Sequence, residues 1–203
     1  MLFLACAHAK PATQPPVPPP PTHAVARLAL HWNDASDTTR VLRAPGDRTL
    51  RTALTLTGVS DSLQGFTIHF RLEPTTNRKG TAWTLANNDS CLAAVWAGTI
   101  GRDPKVPAPW PNKLLITDAR ALPDGSLWMI VAATFDLVAM HADSTYLVCN
   151  MTFTPPTPSS DKTHCAGWDA PVRLYVENAT LLYTTVEQPV FELDKPLSYE
   201  PTD

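Results

Sequence analysis

The sequence predicts an all-β domain, an antiparallel β-sandwich of jelly-roll type with about eight or nine strands. Three observations lead there. Apolar residues recur at every second position in one segment after another, the period of a strand with one buried face. Clusters of Pro, Gly, Asp and Asn punctuate these segments as turns. No window carries a helical period with caps, beyond a single turn around Asp118-Ala119-Arg120.

The segments follow in order. Residues 1–23 stand apart from the rest. A short apolar run, Met1-Leu2-Phe3-Leu4-Ala5, ends in Cys6, and seven of the 21 prolines then fall between Pro11 and Pro21. Such a tract lacks backbone donors and favours extended polyproline II, so it reads as a semi-rigid tether. The sandwich is assigned to residues 24–195 and a C-terminal tail to residues 196–203. Its first strand is residues 25–32. Residues 49–57 put Leu50, Thr52, Leu54 and Leu56 on one face and Thr49, Arg51, Thr55 and Thr57 on the other. Residues 64–72 place Phe66, Ile68, Phe70 and Leu72 inward and Thr67, His69 and Arg71 outward. Residues 127–137, apolar on both faces, read as a central strand after the turn Pro123-Asp124-Gly125-Ser126. Residues 146–153, 172–176, 180–185 and 190–193 complete the set.

The chain has 203 residues, 44% hydrophobic and 17% charged, which suits one domain with a sizeable core. A formal net charge of -3 gives no electrostatic footprint for nucleic acid or an anionic membrane surface. No apolar run approaches the ~20 residues of a membrane span.

The search for reaction chemistry names no catalytic residue, and the protein is expected not to be an enzyme. There is no nucleophile elbow, zinc-protease helix, phosphate loop or dinucleotide fingerprint. His69 lies on an outward strand face and reads as solvated, and His31 reads as structural. Asn33-Asp34-Ala35-Ser36-Asp37 groups oxygen-bearing side chains, so Asn33, Asp34 and Asp37 are a candidate calcium site, although turn formation is the commoner work of such residues. No other cofactor is expected. Among the six tryptophans, Trp83 and Trp128 are assigned to the core. Trp96 and Trp110 flank a Gly- and Pro-rich loop, residues 97–112, and are the candidate binding residues, because exposed aromatic rings stack on sugars or anchor protein partners. The other reading of both is that they cap one end of the core. Sequons occur at Asn88, Asn150 and Asn178.

Phe3-Leu4-Ala5-Cys6 followed by a tether resembles the end of a bacterial lipoprotein signal; only five residues precede Cys6 and none is charged, so either the start of the signal lies upstream or the N-terminus is an ordinary one with a stray cysteine. The resemblance implies a lipid anchor on Cys6, an extracytoplasmic place at the cell envelope, and membrane contact through that lipid alone. In an exported chain Cys149 and Cys165 are the expected disulfide, with two buried free thiols as the alternative, and Cys91 is left over.

Leu63-Gln64-Gly65-Phe66-Thr67-Ile68-His69-Phe70-Arg71-Leu72-Glu73-Pro74 resembles the cohesin pattern in which a strand opening L-x-G-F ends in a Y-D-P-like turn. Residues 127–137 and 146–153 resemble the family's paired later strands. Pro171-Val172-Arg173-Leu174-Tyr175-Val176-Glu177-Asn178-Ala179-Thr180-Leu181 resembles its closing I-x-L-x-N-A-x-L strand. The resemblance spans residues 24–193 and implies a jelly roll of about nine strands related to carbohydrate-binding modules. Cohesins grip dockerin modules through one sheet face. Arg71 and Glu73 stand here where the family has tyrosine and aspartate, and no partner-recognition residue can be matched. The expected function is a non-enzymatic binding module presenting a sandwich surface to a protein or polysaccharide partner. The alternatives are an accessory envelope lipoprotein with no ligand of its own, or a jelly-roll hydrolase.

Overall fold

The computed structural model describes residues 25–45, 49–75, 97–99, 110, 114–153, 171–183 and 190–202. Cys6 and the proline-rich tract, Trp83, Cys91, Trp96, Cys165 and Trp168 lie outside the described residues.

Within them the chain is all-β. The strands are β1 Val25–Trp32, β2 Val41–Pro45, β3 Leu50–Thr57, β4 Ser62–Pro74, β5 Ala97–Thr99, β6 Leu114–Ala121, β7 Leu127–Ala139, β8 Tyr146–Phe153, β9 Val172–Tyr183, β10 Val190–Leu193 and β11 Leu197–Thr202. They form a five-stranded sheet in the order β10-β1-β3-β8-β5 and a six-stranded sheet in the order β2-β11-β9-β4-β7-β6. The alternation read from the sequence is the alternation of burial along β4, while in β3 Ala53 and Thr55 on the opposite face are buried as well. Leu50, Leu54 and Leu56 of β3 point into the core with Phe66, Ile68, Phe70 and Leu72 of β4, and all are buried. Burying side chains of this size stabilises by about 1.5–3 kcal/mol each.

Two features differ from the expected antiparallel sandwich of fewer strands. The first is two strands that the periodicity did not mark, the edge strand β6 and the short strand β11. β6 covers Asp118-Ala119-Arg120, where a helical turn was expected; these residues pair with Ile130, Met129 and Trp128 of β7. Residues 196–203, expected as a tail, contribute β11 to the six-stranded sheet. The second is that β1 with β10, and β2 with β11, pair in parallel. The chain's first two described strands thus meet its last two, one pair in each sheet. Arg40 ties the crossing together. It donates to Leu30 O at 2.9 Å, pairs with Asp194 between β10 and β11, and accepts the Ser198 amide on its own carbonyl at 2.8 Å.

Candidate binding face

Each strand of a sandwich has a face turned away from the core, and the two sheets treat that face differently. On the five-stranded sheet, Ala53 and Thr55 point away from the other sheet yet are buried. His31 lies over this region. Its Nδ1 donates to the Asp37 carbonyl at 3.0 Å, and its Nε2 is 3.0 Å from Thr55 Oγ1. His31 is therefore a structural bridge between β1, β3 and the loop after β1.

The outer face of the six-stranded sheet is open. Beside its edge strand β6 lies β7, whose inward residues Leu127, Met129, Val131, Ala133 and Phe135 are buried while Trp128, Ile130 and Ala132 point outward and are half-buried. Exposed faces of antiparallel sheets are normally polar, so an outward run of Trp, Ile and Ala is unusual. The flanking strands extend it. Ile116 of β6 sits opposite Ala132 and is 55% exposed. Leu182 of β9, 44% exposed, sits opposite Gly65 of β4. A Cβ at residue 65 would lie 2.4 Å from Ala133 O and 3.1 Å from Leu182 Cδ1. Glycine at this bulge therefore lets Leu182 settle across the sheet, which keeps the apolar end of the face flat.

The other end is aromatic and charged. Tyr175, Arg71, Trp128 and Arg120 lie side by side across β9, β4, β7 and β6. The Arg120 guanidinium carbon is 4.6 Å from the centroid of the Trp128 ring, a cation–π distance. The His69 ring packs on Trp128 at 5.1 Å with a 59° tilt. Arg71 is the hub of a charge network. Its Nη1 donates to Glu177 Oε1 at 3.3 Å, its Nη2 to Asp124, and its Nε lies 3.4 Å from Glu73 Oε1, at ion-pair distance without hydrogen-bond geometry. Burial alone would lower the Arg71 pKa. The Glu177 hydrogen bond and the Asp124 charge outweigh it and hold the guanidinium above its ordinary value. Tyr175 donates its hydroxyl to Glu73 Oε1 at 2.5 Å. Burial, then that hydrogen bond and the Glu73 charge, push the phenol up to about 12, so it stays a donor across the physiological range.

The turn between β6 and β7 fixes this end. Gly125 adopts φ 82° at the tip, where its amide donates to Leu122 O at 3.0 Å. Asp124 accepts the Ser126 hydroxyl at 2.5 Å and its amide at 3.0 Å while it holds Arg71.

Of the two tryptophans expected from sequence to bind, the described one, Trp110, is not on this face. Trp110 is a core residue, 6% exposed, and not a surface anchor. Its indole N–H donates to Leu147 O at 2.7 Å, and its ring packs on Phe66 edge-on at 5.7 Å and on Phe135 at 4.8 Å. Trp128, assigned to the core from sequence, is on the outer face. The two tryptophans exchange roles because β7 alternates with Trp128 out of phase with the buried residues. The signal was present: residues 128, 130 and 132 share a face with Thr134. Trp96 lies outside the described residues.

The expected Cys149–Cys165 bridge is corrected at its described end. Cys149 is a free thiol in the middle of β8, opposite Leu54, and fully buried. Its side chain shares the core with Met151 and Phe153. Burial pushes its pKa up to about 12. The candidate calcium loop uses its oxygens on itself. Asp37 accepts Asn33 Nδ2 at 2.7 Å and the Thr39 amide at 2.8 Å, and Asp34 accepts the Ser36 amide and hydroxyl at 2.8 and 2.6 Å. Asn33 takes φ 60°, as a turn residue does. Among the described residues no three His, Cys, Asp or Glu side chains group to hold a metal ion.

No protein-family model and no curated protein matches the chain. Among solved structures it is similar to cohesin modules. One is the cohesin module of a family 33 glycoside hydrolase from Clostridium perfringens, 12% identical over 88% of this chain and 99% of that one, with a TM-score of 0.43. Another comes from a type I cohesin–dockerin complex of Clostridium thermocellum, 10% identical over 88% and 95%, with a TM-score of 0.41. The chain is also similar, at 9% identity over 87% and 89% and a TM-score of 0.37, to AvmM, whose structure is described as that of a macrocyclization catalyst in alchivemycin A biosynthesis.

Proposed function

We propose that the protein is a non-enzymatic binding module whose partner docks on the outer face of the six-stranded sheet. The observation that carries this is the outward apolar run of β7, Trp128, Ile130 and Ala132, continued by the exposed Ile116 and Leu182. An accessory domain with no ligand has no need of such a face, since solvated sheets favour polar side chains there. A protein partner fits better than a polysaccharide. Sugar stacking needs a bare aromatic face, and the Trp128 ring is already engaged by Arg120 and His69. A flat apolar end beside a fixed array of charges suits an interface with an apolar centre and a polar rim. An extracytoplasmic setting with a lipid on Cys6 belongs to the same proposal and is supported by the Cys6 and proline-rich sequence alone.

The test pairs co-purification with a glycan array, using wild type and an Ile116→Glu/Leu182→Glu variant. The expected result is a stoichiometric protein partner retained by wild type and lost by the variant, with no glycan bound by either. Saturable glycan binding that the variant abolishes would move the assignment to a polysaccharide.

A further inference from the structure

An open groove of about 390 Å³ lies on the six-stranded sheet beside β9 and β11, walled by Thr75, Pro171, Arg173, Ser198, Glu200 and Pro201. Arg173 and Ser198 sit directly opposite each other across the β9–β11 ladder, so their side chains rise from the same face. Arg173 is exposed and its guanidinium has no ion pair or hydrogen bond among the described residues, unlike those of Arg40, Arg43 and Arg71. The neighbouring carboxylates are taken. Glu73, opposite Arg173 on β4, accepts the Tyr175 hydroxyl and faces Arg71, and Glu200 accepts Arg43 Nε at 2.8 Å. The Ser198 hydroxyl has no partner among the described residues either. The Thr75 hydroxyl is committed to Pro171 O at 3.1 Å. The groove therefore presents a guanidinium fork and a hydroxyl with nothing to donate to.

We propose that this groove binds a carboxylate, with Arg173 taking its two oxygens side-on and Ser198 adding a hydrogen bond. Planar, bidentate recognition is what a guanidinium does best. Glu200 at the rim disfavours a doubly charged anion, which selects a monocarboxylate over a phosphate. Pro171 and Pro201 give rigid apolar walls for a short aliphatic stem. A free short-chain acid and an acidic side chain of another protein share this chemistry.

Side-chain NMR of the ¹⁵N-labelled protein reads the Arg173 Nε–Hε resonance during titration with sodium butyrate, a capped Gly-Glu-Gly peptide, a capped Gly-Gln-Gly peptide, and sodium chloride. Butyrate and the Glu peptide are expected to shift it saturably, and the Gln peptide and chloride are not. Arg173→Gln, an exposed substitution, removes that resonance, so its titration is followed on the backbone amides of residues 172–174 and 197–199, which shift saturably in the wild type and not in the variant; Ser198→Ala weakens binding by about threefold to tenfold. A linear shift that matches chloride, or saturable binding that survives Arg173→Gln, overturns the proposal. Tighter binding of the Glu peptide than of butyrate assigns the site to an acidic protein segment, and the reverse order to a small acid. Ile116→Glu/Leu182→Glu leaves these titrations unchanged, so this site and the apolar face succeed or fail separately.

Discussion

The guanidinium of Arg120 covers the ring of Trp128 at 4.6 Å, on the solvent side of the six-stranded sheet. The pair joins the edge strand β6 to its neighbour β7. It also holds a large aromatic ring in one orientation on a surface, where freedom would otherwise be lost on binding. On the proposed docking face, a half-buried tryptophan held in this way would meet a partner already arranged.

Trp110 and Trp128 are expected to respond differently to truncation. Trp110 fills the core against Phe66 and Phe135 and satisfies Leu147 O. Trp110→Ala should cost about 3–5 kcal/mol in urea unfolding. Trp128→Ala removes a half-buried ring and a cation–π contact and should cost about 1–2 kcal/mol. Equal losses would contradict the placement of the two rings on opposite sides of the sheet.

Acid stability should depend on Asp194. Burial raises its pKa, but the Lys195 amide and the hydrogen bond and charge of Arg40 outweigh this and leave it below 3.8. A depressed native value means the stabilisation is complete above 3.8 and is lost as pH falls through the native pKa. Asp194→Asn should cost about 1 kcal/mol at neutral pH and flatten the acid limb of a stability profile. Part of that limb will remain, since Asp124 is also held low, first by the Ser126 hydroxyl. An unchanged profile in the variant would remove Arg40–Asp194 as a fastening of the strand crossing.

Cys149 should be inert in the folded protein. At about pH 8 iodoacetamide should leave it unmodified until urea unfolds the chain, because the thiol is buried and protonated. A peptide map without reductant that finds Cys149 bonded to another cysteine would contradict its place in the core.

The parity of β4 was legible in the sequence, because it has one buried and one part-exposed face and the period of two survives from Phe66 to Leu72; that of β3 was legible from residue type alone, since Leu50, Leu54 and Leu56 alternate with smaller or polar residues although Ala53 and Thr55 are buried too. β6 was not. It is an edge strand whose Ile116, Thr117, Asp118 and Arg120 are all exposed, so burial imposes no pattern on it. β11 was hidden for a similar reason, as a short strand carrying Pro201 at the edge of a core it enters with Leu197 and Tyr199. Trp128 was assigned to the wrong side of its sheet because an apolar outer face and a doubly covered strand look alike in sequence: Trp128, Ile130 and Ala132 suit either. Only the sheet order, which leaves that side of β7 open, separates them. Trp110 stands outside any periodic run, so nothing local told which way it points.

Site-specific photocrosslinking tests most directly whether the outer face of the six-stranded sheet meets a partner. A photoreactive phenylalanine analogue is placed at Ile116 on the outer face of the six-stranded sheet and, separately, at Arg51 on the outer face of the other sheet, in protein expressed in its source organism. The expected result is a discrete heterologous protein adduct from position 116, absent in the Leu182→Glu background, and none from position 51. An adduct from position 51 with none from position 116 would contradict the account.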